Sequence, residues 1–170
     1  MNILVLEPYY GGSHKAFLAG LIHHLPYSFD LLTLPAHSWK WRMRLAAPHF
    51  AEILSSDPRY TGKAYDRILC TSLVDVAALR GLLPQHLRHT PILTYFHENQ
   101  FVYPVQVSEA RDVHFGLTNL TSALASDSLA FNSHYNLDSF LAGCQELLAK
   151  MPDMSLAGYE KAIRAKATIL

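Results

Sequence analysis

The sequence predicts an α/β fold in which helices cover a doubly wound, Rossmann-like parallel sheet. Short apolar runs alternate with segments of helical periodicity along the 170 residues. Half of the residues are hydrophobic and 16% are charged, a balance typical of a packed globular protein rather than a disordered one. The length suits a single core. We therefore expect residues 1–170 to form one domain.

Six apolar runs predict the strands of this sheet. Residues 2–6 form a continuous apolar run of the kind found in the middle of a parallel sheet, and Glu7-Pro8 ends it. The other runs are rich in aliphatic, β-branched or aromatic residues and end at proline or polar residues: 29–34, 65–71, 91–96, 128–131 and the start of a strand at 166–170. A natural domain rarely stops inside such a run, so we expect the native chain to continue.

Apolar residues that recur every three or four positions predict the helices. The first helix covers residues 16–25 and ends before Pro26. Pro58 and Pro84 follow the second and third helices, and Ser133 is a typical N-cap for the fifth. The predicted helices after the first are 47–56, 75–83, 113–127, 133–150 and 155–165.

Composition and the chain start argue against several classes of protein. Lys+Arg and Asp+Glu both total 14, so any nucleic-acid contact must come from a local patch. Cys70 and Cys144 are too few for a disulfide framework, and we expect buried thiols. Histidines and cysteines show no metal-site spacing, so we expect no metal. The N-terminus lacks the features of a signal peptide, and no window has the length of a membrane span, which predicts a cytoplasmic protein without membrane contact.

Polar clusters follow three predicted strands, at residues 7–14, 97–100 and 132–136. Ligands of open α/β sheets bind beyond the carboxyl ends of strands, and we expect strands one, four and five to be neighbours, so the clusters should line one rim. Residues 97–100 offer an imidazole, a carboxylate and two amides, which can carry a proton, accept one and fix hydroxyls. At a rim, His97 is expected to pack little. The alternative is a loop that only caps backbone groups.

Two further segments suit ligand contact. Gly11 and Gly12 let the backbone approach a ligand, and Ser13 near the helix start leaves N–H groups for an anion or a sugar hydroxyl. The alternative is that the two glycines serve only the geometry of the turn. Residues 37–44 alternate tryptophans with cations, which suits an unpaired nucleotide, whereas an edge strand with one Trp in the core is the alternative. The candidate RNA-binding residues are Trp39, Lys40, Trp41, Arg42 and Arg44.

Four motifs in chain order give the sequence a family resemblance. They are the glycine turn 9–15 (Tyr-Tyr-Gly-Gly-Ser-His-Lys), Thr33–Ala36 running into Trp39–Arg42, Tyr95–Gln100 with Tyr103-Pro104, and Phe131–Ser133 followed by Asn136 and Ser139-Phe140. Together they resemble the glycosyltransferase-like domain-containing proteins, a family that includes tRNA-queuosine alpha-mannosyltransferases. The resemblance runs from residue 1 to about residue 165 and matches the N-terminal half of such proteins.

The resemblance implies the N-terminal half of a GT-B glycosyltransferase, in which two Rossmann-like domains face each other across a cleft. It implies retaining transfer of mannose from the nucleotide-sugar GDP-mannose to queuosine in tRNA, without a cofactor. This chain is then the acceptor-side domain, a C-terminal donor-binding domain lies outside residues 1–170, and the fragment alone is inactive.

The resemblance also implies site residues. His97 corresponds to a histidine beside the transferred sugar, and the glycine turn lies near the donor diphosphate. Glu98 can hold the imidazole or accept a proton from the acceptor, so His97 and Glu98 are the catalytic candidates. The candidates for donor or acceptor binding are Tyr10, Gly11, Gly12, Ser13, His14, Asn99, Gln100, Tyr103, Asn132 and Ser133.

Three functions stay open on the sequence. The first is mannosyl transfer to queuosine in tRNA. The second is glycosyl transfer to a different hydroxyl acceptor. The third is a non-catalytic module that binds RNA or nucleotide, because residues 1–170 cannot complete a two-domain cleft.

Overall fold

A computed structural model describes residues 1–103 and 112–170. Strands and helices alternate along the chain, and a short 3-10 turn, Gln85–Leu87, precedes the fourth strand. The elements are β1 (Asn2–Tyr10), α1 (Gly12–His24), β2 (Ser28–Pro35), α2 (Trp39–Ser56), β3 (Arg67–Thr71), α3 (Val76–Leu82), β4 (Ile92–Phe96), α4 (Val113–Ala125), β5 (Ser128–Phe131), α5 (His134–Leu148), α6 (Tyr159–Arg164) and β6 (Ala167–Ile169). This alternation confirms the predicted fold class.

The six strands form one parallel sheet in the order β2-β1-β3-β4-β5-β6. The expectation that the first, fourth and fifth strands are neighbours is therefore wrong for the first, because β3 lies between β1 and β4. After β2 the chain crosses back over β1, so the strand order reverses between β1 and β3. Crevices for ligands form at such a reversal, which places the expected site above the ends of β1 and β3.

Side chains of the central strands are buried on both faces of the sheet. On one face, Ile3 and Val5 of β1 pack with Leu18 of α1. On the other face, Leu4 and Leu6 pack with residues of α2 and α3, and the same side of β4 and β5 packs with α4, α5 and α6. Burial on both faces explains why the strand sequences are continuous apolar runs.

The helix α2 begins at Trp39, not near residue 47, and Pro48 lies inside it. The edge-strand interpretation of segment 37–44 is therefore wrong, because residues 39–44 form the first turns of a helix. Contact with a nucleotide stays a prediction. Proline suits the first turn of a helix, where its missing N–H is not needed, so Pro48 pointed to a later start. A buried stripe holds the whole helix on the sheet: Met43, Ala46, Ala47, Phe50, Ala51 and Leu54.

Two other expectations concern the thiols and the membrane. Cys70 and Cys144 are free and buried, as predicted. Burial raises the pKa of the Cys144 thiol to about 12 and that of Cys70 further, so both are neutral, unreactive core residues. Among the helices in the described ranges, none is long and apolar enough to cross a membrane.

Candidate functional site

A cleft of about 370 Å³ lies above the carboxyl ends of β1 and β3. We call it the glycine-turn cleft. It is lined by the turn after β1, the start of α1, the start of α2 and the segment after β4. Its lining residues are Tyr9, Gly11, Gly12, Ser13, His14, Ala36, Trp39, Leu73, Glu98, Gln100 and Tyr103. The structure therefore brings the polar clusters 7–14 and 97–100 together, although β3 separates their strands.

The structure explains why both positions of the turn are occupied by glycine. Gly12 has a φ of 50°, in the left-handed region that favours glycine. A Cβ at Gly11 would lie 2.5 Å from the Cβ of Ala36, so a side chain there would displace the end of β2. The geometry of the turn therefore accounts for both glycines, and their contact with a ligand stays a prediction. No side-chain hydrogen bond caps the start of α1 in the described chain, and Gly12, Ser13 and His14 of this first turn line the cleft.

A buried carboxylate within β1 fixes the position of His14. Glu7 is fully buried, and its Oε1 accepts a 2.7 Å hydrogen bond from the backbone N–H of Tyr9. The other oxygen, Oε2, lies 3.0 Å from Nδ1 of His14, and Nε2 of His14 lies 3.7 Å from Oε2 of Glu98. These contacts form a chain from Glu7 through His14 to Glu98 at the cleft. Glu7 belongs to the polar cluster 7–14, but no site role was predicted for it, because a lone acid after an apolar run does not show which residue it binds.

His14 is charged at neutral pH. Burial alone would lower the pKa of its imidazole, but the hydrogen bonds and negative charges of Glu7 and Glu98 outweigh burial and raise it to about 9. The cleft therefore contains a cation between two carboxylates.

His97 lies among three aromatic rings and is not a loosely packed rim residue. Its ring stacks on His14, with centroids 3.9 Å apart and an interplanar angle of 25°. It meets Tyr95 and Phe17 edge to face at centroid distances of 4.6 and 5.2 Å. The expectation of little packing is wrong because the segment after β4 bends over α1.

His97 is neutral at physiological pH. Burial, reinforced by the charge of His14, lowers the pKa of His97 to about 3. Its Nε2 is buried and has no hydrogen-bond partner among the described residues. The two stacked histidines thus hold opposite protonation states, one a cation and the other a neutral ring that can donate or accept a hydrogen bond.

Glu7, His14 and His97 each offer a metal-ligating atom, and these atoms lie within 4.8 Å of one another. The spacing of histidines along the sequence does not reveal this cluster, because the fold brings together residues that are distant in the sequence. Two of these ligating atoms already bind each other, however, since Nδ1 of His14 is hydrogen-bonded to Oε2 of Glu7. A metal ligand must be a deprotonated imidazole, whereas the raised pKa of His14 favours the proton. The expectation of no metal stays a prediction.

Buried amides build the segment after β4. Oδ1 of Asn99 accepts hydrogen bonds from the N–H groups of Phe101 and Val102, at 3.1 and 3.3 Å. Its Nδ2 donates to Oδ1 of Asn136 at 2.9 Å, and Oδ1 of Asn119 accepts from the N–H of Gln100 at 3.0 Å. The structure therefore assigns Asn99 to the scaffold of the segment, and Gln100 lines the cleft. Asn136 belongs to the predicted polar cluster 132–136, whereas Asn119 was not predicted because it lies within a helix, where its side chain gives no local signal.

A second cleft, of about 270 Å³, lies between the segment after β4 and the start of α5. It shares Glu98 and Tyr103 with the glycine-turn cleft and includes Asn132 and Ser133. Asn132 donates a 2.6 Å hydrogen bond to the carbonyl of His97, and Ser133 caps α5 by accepting from the N–H of Asn136 at 3.1 Å. The capping alternative for Ser133 is thus correct. The third polar cluster reaches His97 but faces this second cleft.

The candidate RNA-binding residues divide into two groups. Arg44 binds Asp112 at 2.7 Å, Arg42 donates to the carbonyl of Pro35 at 3.3 Å, and Trp39 packs against Phe115 with a centroid distance of 5.2 Å. These three side chains thus have structural partners. In contrast, Trp41 is 67% exposed and Lys40 is also exposed.

Two remaining residues of the predicted motifs lie away from the cleft or outside the described chain. Tyr10 ends β1 beside Pro35, and Nζ of Lys15 lies 5.7 Å from the centre of its ring. Tyr10 lines neither the glycine-turn cleft nor the second cleft. Pro104 lies outside the residues that the structure describes.

Comparison with known proteins gives the family of the chain. The family described as "tRNA-queuosine alpha-mannosyltransferase N-terminal" matches residues 2–170. The chain belongs to this family. It is also 37% identical over 170 residues to a protein of Drosophila melanogaster named "tRNA-queuosine alpha-mannosyltransferase". The alignment covers 99% of this chain and 44% of that relative, so the chain spans less than half the length of the relative. No solved structure matches the chain.

Membership in the tRNA-queuosine alpha-mannosyltransferase N-terminal family agrees with the resemblance inferred from the motifs. The match covers the lining residues of both clefts, from Tyr9 of β1 to Ser139 of α5.

Proposed function

We propose that this chain is the acceptor-side N-terminal domain of a retaining GT-B glycosyltransferase that transfers mannose from GDP-mannose to queuosine in tRNA. The observation that carries the proposal is the glycine-turn cleft, where an uncapped helix start lies beside the chain Glu7–His14–Glu98 at a reversal of strand order. The name of the Drosophila relative supplies the sugar, the linkage and the acceptor.

The start of α1 suits the diphosphate of the donor. Its first N–H groups carry a partial positive charge, and a Cβ at Gly12 would meet no atom within 4 Å, so the backbone there is open to an anion. Glu7 and Glu98 alone would repel a diphosphate. Because His14 keeps a proton between them, the cluster carries one negative charge instead of two, and an anionic donor can approach.

His97 and Glu98 suit the reacting end of the donor. In the transfer, the bond between the anomeric carbon and the diphosphate oxygen breaks, a bond from that carbon to the acceptor hydroxyl forms, and GDP leaves. Neutral His97 donates a hydrogen bond where charge develops, and Glu98 accepts the proton of the acceptor hydroxyl. Neither role requires a cofactor or a metal ion.

The partners follow from the same proposal. The domain works with its own C-terminal domain, which binds most of the donor and closes the cleft. Trp41 and Lys40 on α2 contact the RNA, since an exposed ring can stack on a base and an exposed ammonium can bind a phosphate. We place the protein in the cytoplasm, with its tRNA.

Transfer to a different hydroxyl acceptor is the second candidate. It is favoured by the equal totals of acidic and basic residues and by the internal partners of Arg42 and Arg44, which reduce the positive charge available to RNA. A non-catalytic RNA or nucleotide module is the third candidate, and loss of activity in both assays below would favour it.

Mass spectrometry of tRNA nucleosides tests the proposal. In the host organism, we expect mannosyl-queuosine when the full-length gene is present and unmodified queuosine when it is deleted. In vitro, the full-length protein should transfer labelled mannose from GDP-mannose to queuosine-containing tRNA and not to tRNA that carries guanosine at that position. Transfer to another hydroxyl compound but not to tRNA would favour the second candidate.

A further inference from the structure

The ring of Phe101 lies in a slot between two helices. Gly116 of α4 and Gly143 of α5 form this slot, and both are buried. A Cβ at Gly143 would lie 2.2 Å from Cγ and 2.4 Å from Cβ of Phe101. A Cβ at Gly116 would lie 2.6 Å from Cε1 of the same ring. Even the smallest side chain at either position would push Phe101 out.

Neither glycine is required by backbone conformation. Among the glycines of the described chain, a positive φ occurs at Gly12 and Gly62 only. Glycine inside a helix costs stability relative to alanine, so two buried helical glycines that face one ring indicate that the slot itself has a purpose.

Phe101 belongs to the segment that carries the catalytic candidates. This segment leaves β4 at Phe96 and presents His97 and Glu98 to His14. Asn99 binds the N–H of Phe101, and the Phe101 ring packs against Phe140 of the core at a centroid distance of 5.9 Å. The segment is therefore fixed at one end by the sheet and at the other end by Phe101.

We propose that Phe101 is a positioning residue whose seat in the Gly116–Gly143 slot sets the distance of His97 and Glu98 from His14. The inference deepens the proposed function and rests on it. Two contacts depend on this position: Oε2 of Glu98 lies 3.7 Å from Nε2 of His14, and the ring centroids of His97 and His14 lie 3.9 Å apart. A shift of about 1 Å in a catalytic group can reduce turnover about 10²-fold.

The test uses variants of the full-length protein. Phe101→Ala removes the ring, and Gly143→Ala fills the slot, so the two variants release the segment in opposite ways. Phe101→Leu keeps an apolar anchor. The matched control is Gly81→Ala in α3, because a Cβ at Gly81 meets no atom within 4 Å. Two quantities are measured: kcat and KM of mannosyl transfer, and the pKa of His14 from the NMR titration of its ring.

We expect Phe101→Ala and Gly143→Ala to reduce kcat about 10²-fold with a smaller change in KM, and to lower the pKa of His14 because Glu98 moves away. Phe101→Leu should retain most of kcat, and Gly81→Ala should equal the wild type. If Phe101→Ala and Gly143→Ala lower Tm but keep kcat within about twofold and leave the His14 titration unchanged, Phe101 is only a core residue and the proposal is wrong.

Failure of the proposed function is distinguishable. If the wild type transfers no sugar, the proposed function fails, while the titration of His14 still decides whether Phe101 positions the segment. If Gly143→Ala does not fold, Phe101→Ala carries the test, since it adds no atom to the core.

Discussion

Replacing Glu7 by Gln tests whether a buried carboxylate holds the charge of His14. The substitution keeps the size of the side chain and removes its negative charge. In the wild type, Oε2 of Glu7 lies 3.0 Å from Nδ1 of His14, and Glu7 is fully buried. With Gln, Glu98 remains as a carboxylate partner of His14, at 3.7 Å, and burial then favours the neutral imidazole.

The magnitude follows from the pKa of His14. A rise from 6.5 to about 9 corresponds to about 3 kcal/mol, because a tenfold change in proton affinity is worth about 1.4 kcal/mol. The folded-state pKa lies above the unfolded value, so this stabilisation is fully present below pH 6.5 and is lost as the pH rises through 9. We expect Glu7→Gln to lower the free energy of unfolding by about 3 kcal/mol at pH 6.5 and by much less above pH 9.

Urea unfolding between pH 6.5 and 9.5 measures this difference directly. Groups common to both proteins cancel in the comparison, and His97, whose pKa is lowered to about 3, changes stability only below pH 6.5. The matched control is Glu52→Gln, which removes an exposed carboxylate from α2. Parallel curves for wild type and Glu7→Gln, offset by a constant amount across this range, would refute the assignment of a proton to His14.

Four further predictions concern activity and binding. In the full-length protein, His97→Ala should reduce kcat about 10²-fold. The control His97→Phe keeps a ring between Phe17 and Tyr95, and it should restore Tm but not kcat. If His97→Phe also restores kcat, the role of His97 is structural. Residues 1–170 alone should give no transfer from GDP-mannose, because half a cleft does not position the donor, and turnover by this fragment would contradict the two-domain proposal. Dialysis of the full-length protein against EDTA should leave kcat unchanged, whereas a loss that added Zn²⁺ reverses would assign Glu7, His14 and His97 to a metal. Trp41→Ala should weaken tRNA binding about tenfold, since stacking on a base is worth about 1–3 kcal/mol, while Leu45→Ala on the same helix should not; equal affinities would remove α2 from the RNA interface.

The strands were predictable from the sequence, whereas their order was not. Apolar runs with proline or polar ends marked every strand, because burial on both faces leaves few polar residues in the central strands. The position of β3 between β1 and β4 depends on the direction of the crossover after β2, which no local pattern encodes. The start of α2 was missed because Pro48 resembles a first-turn residue.

The candidate site was predictable in its location but not in its charges. Polar residues after apolar runs pointed to His14, His97 and Glu98, which the structure brings together. The partner that decides their protonation, Glu7, is a single acid after an apolar run, and its effect depends on a contact seven residues away through the turn. Likewise, Asn119 supports the segment after β4 from a helix whose sequence shows only the apolar period.

The stacked histidines set a limit on the charge that the site can hold. Two imidazolium rings 3.9 Å apart in a buried cleft would repel each other, so protonation of one lowers the pKa of the other. Of the two, His14 faces both carboxylates, while His97 faces the rings of Phe17 and Tyr95, and this difference decides which one holds the proton. Deprotonation of His14 above about pH 9 would remove the cation that lies between Glu7 and Glu98, next to the start of α1. A site that binds a diphosphate there loses donor affinity in that pH range, whereas a site for a neutral ligand does not. The Kd of the donor, measured as the pH rises above about 9, therefore distinguishes an anionic donor from an uncharged one without any substitution.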